Sequence, residues 1–210
     1  MEIREKIHSE AVEMKIGILT FQQALNYGAF FQMYALQKYI KTNFKDVSVD
    51  VIQYESEYLE KRHSYKSKKS SNCVKTLIVK LNAFVKKTKF ESAKRTYITQ
   101  SEVKYRKDTI KNADDVYDLF VCGSDQIWNP SLTGNDLNYF LQFASARKRN
   151  SYAASVGVTE FSEEIKNSIA DILSSFRNIS VREQGSKNTV KKLVPSASIS
   201  LHIDPVLLLS

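Results

Sequence analysis

Residues 123–130, Gly123-Ser124-Asp125-Gln126-Ile127-Trp128-Asn129-Pro130, gather five polar or aromatic side chains and hold the only tryptophan of the 210-residue sequence. Ser124, Asp125, Gln126 and Asn129 offer donors and acceptors suited to a hydroxyl-rich ligand. Trp128 offers a flat apolar face for a sugar ring, and Gly123 lets the backbone turn sharply. The same residues would equally make a capping turn with Trp128 as a packing anchor. A second group, Asn26-Tyr27-Gly28-Ala29, opens a predicted helix whose free N–H groups can hold an anion or a sugar hydroxyl. Its plainer use is Asn26 as the helix cap and Gly28 as relief for a tight turn. A third, Ser180-Val181-Arg182-Glu183, supplies Arg182, which can grip an anion bidentately or simply pair with Glu183 or Asp204. No GxGxxG follows the first strand, so a dinucleotide fingerprint is missing. His8, His63 and His202 lack metal-ligand spacing, and Cys73 and Cys122 are too few for a zinc site or a disulfide framework. No Ser/His/Asp or Cys/His set can be argued.

These groups need elements to position them. Residues 15–20 (KIGILT) read as a strand and residues 29–41 as a helix. Residues 47–53 (VSVDVIQ) read as a second strand, completing a βαβ unit with a parallel sheet. Residues 61–72 are polar and without period, predicting a loop. From 73 to 87, Val74, Leu77, Ile78, Leu81, Phe84 and Val85 recur at three- and four-residue steps, predicting an amphipathic helix, a pattern that most often packs against a core and less often forms a membrane-surface or partner-binding face. Residues 119–122 (LFVC) form a wholly apolar run closed by Gly123, as in a strand buried on both faces. A weaker strand is expected at 151–155, a helix at 162–176, a strand at 178–181, a helix at 185–194 and a last strand at 198–203. The alternation predicts an α/β fold: a Rossmann-like, doubly wound, mostly parallel sheet interrupted by a basic helical insertion. In such sheets ligands bind outside the carboxyl ends of the strands, where all three groups fall.

Charge divides the chain. The formal net charge is +8, yet the stretch from Glu60 to Lys111 holds sixteen Lys and Arg against four acids, a net of +12. The other fifteen basic and nineteen acidic residues leave the remainder at −4. The organisation expected is a mobile leader over 1–14, an α/β domain over 15–210 and a basic helical insertion at 60–111. With 42% hydrophobic and 26% charged residues a disordered chain is excluded, and 6 Gly with 3 Pro exclude a collagen-like one. No apolar run approaches the roughly 18 residues of a membrane span, and the start lacks a signal-type apolar stretch. The apolar run at 205–209 reads as a segment with more chain to follow.

KIGILT, NYGAFFQMYALQKYI, FVCGSDQIWNP, KRNSYAAS, SVRE and IDPVLLL, in that order from Lys15 to Leu209, resemble the polysaccharide pyruvyl transferase family. GSDQIWNP together with NYGA carries the resemblance; the strands alone fit many α/β proteins. It implies transfer of a pyruvyl group from phosphoenolpyruvate, as donor substrate without further cofactor, onto hydroxyls of a cell-surface polysaccharide or its lipid-linked precursor in a bacterial envelope. It also implies a two-domain, GT-B-like enzyme with its site in the interdomain cleft. This chain would supply the acceptor-side domain, and a second domain or partner chain would be needed for activity. In those terms Asp125 is the candidate for contacting or activating an acceptor hydroxyl. Asn26, Tyr27, Gly28, Ser124, Gln126, Trp128, Asn129 and Arg182 are candidate substrate contacts, Arg182 for an anion. The location implied is cytoplasmic, at the inner face of the membrane, where the 61–111 segment would meet anionic lipid. Two other readings stay open: a catalytically silent carbohydrate-binding remnant, and a less favoured nucleic-acid binder using 61–111.

Overall fold

Apolar residues on both sides of the chain mark the central strands of the computed structural model, which describes residues 13–65 and 73–209. In β1 (Met14–Leu19), Ile16, Ile18 and Leu19 are all buried, as a strand covered on both faces requires. It pairs in parallel with β2 (Val47–Tyr54), Ile16 opposite Val49, and with β4 (Leu119–Cys122), Leu19 opposite Cys122. With β3 (Gln100–Tyr105) at one edge and β5 (Arg149–Ser151) at the other, the order is β3-β2-β1-β4-β5, parallel throughout. A second parallel pair, β6 (Ile179–Val181) and β7 (Ile199–Leu201), hangs from the β5 edge through bridges at Asn150–Asn178 and Ala154–Val181. The strand order reverses between β1 and β4, the topological switch point of a Rossmann-like sheet.

Alternation along each strand divides the core in two. In β4, Phe120 and Cys122 join the larger cluster, while Leu119 and Val121 lie against the smaller one. The smaller is roofed by α1 (Tyr27–Asn43), which buries Met33, Leu36 and Ile40 on Ile16, Ile18, Val49 and Val51. Gln37 of α1, also buried, bonds the Val49 and Thr99 carbonyls and accepts the Thr99 N–H, tying the helix to β2 and the approach to β3. The larger cluster takes in α5 (Glu163–Ser174), α6 (Gln184–Leu193), Trp128, Tyr139 and Phe140.

Several expectations need correction. Residues 61–65 complete a helix, α2 (Glu57–Tyr65), rather than opening a loop; residues 66–72 lie outside the described residues, as do 1–12 of the expected leader. The next helix, α3 (Cys73–Tyr97), runs ten residues past 87, where Phe90, Ala93, Lys94 and Tyr97 form a second stripe that faces the body. The basic segment is therefore helical only in part, since its residues 100–105 are β3. That strand went unpredicted because its central positions, Glu102 to Lys104, face water at a sheet edge, where charge replaces apolar alternation. The strand expected at 151–155 sits at 149–151, and residues 152–155 form the loop leaving it. Among the described residues no helix is long and apolar enough to cross a membrane.

Candidate functional site

Beyond β4 the chain passes so close to the loop after β5 that only glycine fits. Gly123 has φ +131°, and a Cβ there would lie 2.1 Å from the Tyr152 carbonyl oxygen. Three backbone bonds stitch the two loops together: Tyr152 N–H to Cys122 O (3.0 Å), Ser155 N–H to Asp125 O (3.1 Å) and Trp128 N–H to Ser155 O (3.2 Å). Asn129 caps the short helix α4 (Pro130–Thr133), its Oδ1 accepting from the Ser131 N–H at 3.0 Å, while its Nδ2 donates to Gln126 Oε1 at 3.0 Å. Gly157, at φ +66°, leaves room for that pair, since a Cβ would lie 2.6 Å from Asn129 Nδ2.

This scaffold presents Asp125, which is half-buried. Its Oδ1 accepts the Gln126 N–H at 2.7 Å, and the described residues give Oδ2 no partner. Ser124, next to it, is buried with its hydroxyl unpartnered, and its carbonyl accepts from Arg182 Nη1 at 3.2 Å. Arg182 follows β6. The same Nη1 reaches Asp204 Oδ2 at 3.2 Å, and Nε lies 3.5 Å from Glu183 Oε2. Asp204 also accepts from Gln32 Nε2 on α1, and Glu183 accepts from the hydroxyls of Ser155 (2.7 Å) and Ser186. Carboxylates thus outnumber the guanidinium, and of its two expected uses Arg182 takes the ion pair.

Trp128 is not a sugar platform. It is fully buried, stacked on Phe140 at 5.4 Å with a 7° interplanar angle and edge-on to Phe176. Its indole nitrogen is buried without a hydrogen-bond partner among the described residues, and burial pushes the Cys122 thiol well above its ordinary pKa. The anchor role prevails because an indole ring stabilises most when both faces leave water. Asn129 and Ser124 are likewise buried, so in this conformation they position the loop rather than meet a ligand. At the start of α1, Asn26 caps the helix by accepting the Ala29 N–H at 3.3 Å. Tyr27 is exposed and turns its ring to Phe90 of α3 at 5.0 Å. A Cβ on Gly28 would meet only the Asn26 side chain, at 3.1 Å. No hydrogen bond among the described residues joins 26–28 to the 123–129 loop; the link from α1 is Gln32 to Asp204.

Gln32, Ser155, Glu183 and Asp204 complete the cluster, and residue type alone gave none of them a site role. The available signal was position, since each but Gln32 follows a strand or its bridge partner. Two further residues frame it. Tyr152 and His202 stack at 5.5 Å with a 5° angle, and His202 Nδ1 lies 2.6 Å from the Ser180 hydroxyl. Burial, with Tyr39 and Asp204 nearby, raises the Tyr152 phenol above its usual range. A cavity of about 700 Å³ opens beside the β1–α1 loop, lined by polar side chains including Gln22, Gln23, Gln53, Glu55, Lys94 and Lys104. No group of three or more His, Cys, Asp or Glu among the described residues could hold a metal.

A family model described as polysaccharide pyruvyl transferase matches residues 26–210. The chain belongs to that family. The match starts at the α1 cap and leaves out β1, so it is shorter at its start than the resemblance drawn from Lys15. It spans the whole Gly123–Pro130 loop, Arg182 and Asp204. No curated protein and no solved structure matches the chain. A polysaccharide pyruvyl transferase is a transferase acting on a glycan acceptor.

Proposed function

We propose that this chain binds the glycan acceptor of a pyruvyl transfer and that Asp125 takes the proton from an acceptor hydroxyl. Phosphoenolpyruvate is the donor. Protonation of its CH₂ carbon makes the methyl group and leaves an oxocarbenium-like centre at C2. One sugar hydroxyl adds there and loses its proton; a second displaces the phosphate and loses its own, closing the ketal. One proton is gained by carbon, two leave oxygen, and phosphate departs as its monohydrogen form. The observation that carries this reading is the free Oδ2 of Asp125, a half-buried carboxylate held at a strand's carboxyl end by a loop that two positive-φ glycines lock in place. General-base assistance by such a group is worth roughly a hundredfold or more.

Gln126, half-buried beside Asp125, is the residue we assign to orienting the sugar, with Asn129 and Ser124 supporting the loop. Because Arg182 is already paired, the cations that neutralise donor phosphate and carboxylate are assigned to a second domain or a partner chain. The acceptor is placed on a lipid-linked precursor at the cytoplasmic side of the envelope. The pairing of Arg182 favours a second reading, in which the chain by itself binds glycan without turnover.

Saturation-transfer NMR with oligosaccharides bearing vicinal or 4,6-diols tests the binding half. A saccharide signal that disappears in Asp125→Ala and persists in Lys80→Glu supports it, whereas a signal indifferent to Asp125 refutes it. In an assembly that turns over, phosphate release from phosphoenolpyruvate within about twofold of wild type in Asp125→Asn would exclude the proton-transfer role.

A further inference from the structure

We infer that α3 is a docking surface for an anionic phospholipid bilayer. The helix has two halves. From Phe90 onward it packs on the body: Phe90 is buried against the rings of Tyr27 and Phe30, and Lys94 is buried with its ammonium on the Gln22 carbonyl. Before that, every residue from Lys80 to Lys89 is exposed. Leu77, Leu81 and Phe84 stand 67%, 60% and 68% exposed, with Val85 beside them. Isolated exposed apolar residues need no explanation, but these recur at four and three residues and so share one face of the helix. At about 100° per residue that face points away from Phe90, with Phe84 at its edge bordering the cavity that Gln22 and Leu59 also line. Lys80 and Lys87 flank it on one side and Lys89 on the other.

An apolar stripe bordered by lysines is the arrangement of a helix lying in a membrane interface, side chains in the acyl boundary and ammonium groups at the headgroups. Charge selects the occupant. α3 itself holds seven Lys and Arg against Glu91, a net of +6, so a second copy of this chain meeting it face to face would be repelled, while an anionic leaflet would be attracted. The stripe's aliphatic members, Leu77, Leu81 and Val85, suit acyl chains and provide no stacking platform for nucleic-acid bases. The inference stands apart from the role given to Asp125 and needs no turnover to be tested.

The experiment is flotation of the full chain with vesicles of phosphatidylcholine alone or mixed with phosphatidylglycerol. Binding at least about tenfold stronger to the mixed vesicles, and weakened by salt, is the expected result, since each basic side chain near an anionic surface strengthens binding roughly fivefold. The double variant Leu81→Glu/Phe84→Glu should abolish binding and keep the wild-type melting profile, because both positions are exposed. In Leu81→Trp, emission should shift to the blue on adding mixed vesicles, against the constant background of the buried Trp128. Equal binding to both vesicle types, full binding by the double variant, or no spectral shift would overturn the inference. So would a stable dimer in solution that Leu81→Glu dissociates, or capture by single-stranded oligonucleotide without capture by vesicles.

Discussion

Replacing Gly123 by alanine is the sharpest test of how the Asp125 loop is held. The added Cβ would start 2.1 Å from the Tyr152 carbonyl oxygen and 3.1 Å from its carbon, both main-chain atoms that no rotamer change can move. An ordinary carbon–oxygen contact is roughly 3.3 Å, so one of the two loops must shift by about 1 Å. At φ +131° an L-residue is also strained, which costs about 1–3 kcal/mol. The shift would strain the bonds from Tyr152 N–H to Cys122 O and from Ser155 N–H to Asp125 O, each worth about 0.5–1.5 kcal/mol. Together the loss is about 2–6 kcal/mol, a large part of a typical domain's stability of about 5–15 kcal/mol. Urea unfolding should show it directly, and the melting temperature should fall by about 10 °C. Gly185 is the control: it opens α6 with nothing within 4 Å of an added Cβ, so Gly185→Ala should be neutral or stabilising by up to about 1 kcal/mol. A Gly123→Ala protein within about 1 kcal/mol of wild type would refute the close-approach reasoning.

Trp128→Phe should lower stability by about 1–3 kcal/mol through a partly emptied site against Phe140 and Phe176, while leaving saccharide binding unchanged; a saccharide NMR signal that vanished with the indole would return the ring to the ligand. Asp114 should stabilise the fold in a pH-dependent way. Burial raises its carboxyl, but the Ser145 hydroxyl and N–H, with Lys148 and Arg149 nearby, outweigh that and hold it below the usual value. A depressed acid contributes fully above its unfolded pKa of roughly 3.9 and loses that contribution as pH falls through its folded value. The stability gap between wild type and Asp114→Asn should therefore be present at pH 7 and close below about pH 4, as followed by urea midpoints.

The buried middle of the sheet was readable because burial on both faces leaves an unbroken apolar run: LFVC is β4, and KIGILT differs from β1 by one residue at each end. Edge elements were not. QSEVKY pairs only with β2 and shows water the faces that would otherwise carry a pattern, so β3 looked like part of a polar insertion. The loop at 123–130 was legible as a cluster but not as a division of labour. Side-chain type places Trp128, Asn129 and Ser124 beside Asp125 in chemical promise; only packing shows that all three are buried and Asp125 is not. Arg182 was more legible: pairing with Glu183 or Asp204 was one of its two expected uses, and the pairing of β6 with β7 brings Asp204, 22 residues further along the chain, within 3.2 Å.

That ion pair bears on which half of a transfer reaction these residues suit. Around Arg182 stand Asp204 and Glu183, two carboxylates to one guanidinium, within a body that carries −4 once the basic segment is set aside. A phosphoenolpyruvate brought to this surface would meet net negative charge with its own phosphate and carboxylate, and the guanidinium would have to give up Asp204 to receive it. Hydroxyl groups face no such penalty, because they are neutral and donate to a carboxylate such as Asp125. On this ground we read the surface as the acceptor side. Asp204→Asn makes the distinction, since freeing Arg182 should raise affinity for inorganic phosphate while leaving saccharide binding at Asp125 in place; unchanged phosphate affinity would mean that the ion pair does not govern the charge of this surface.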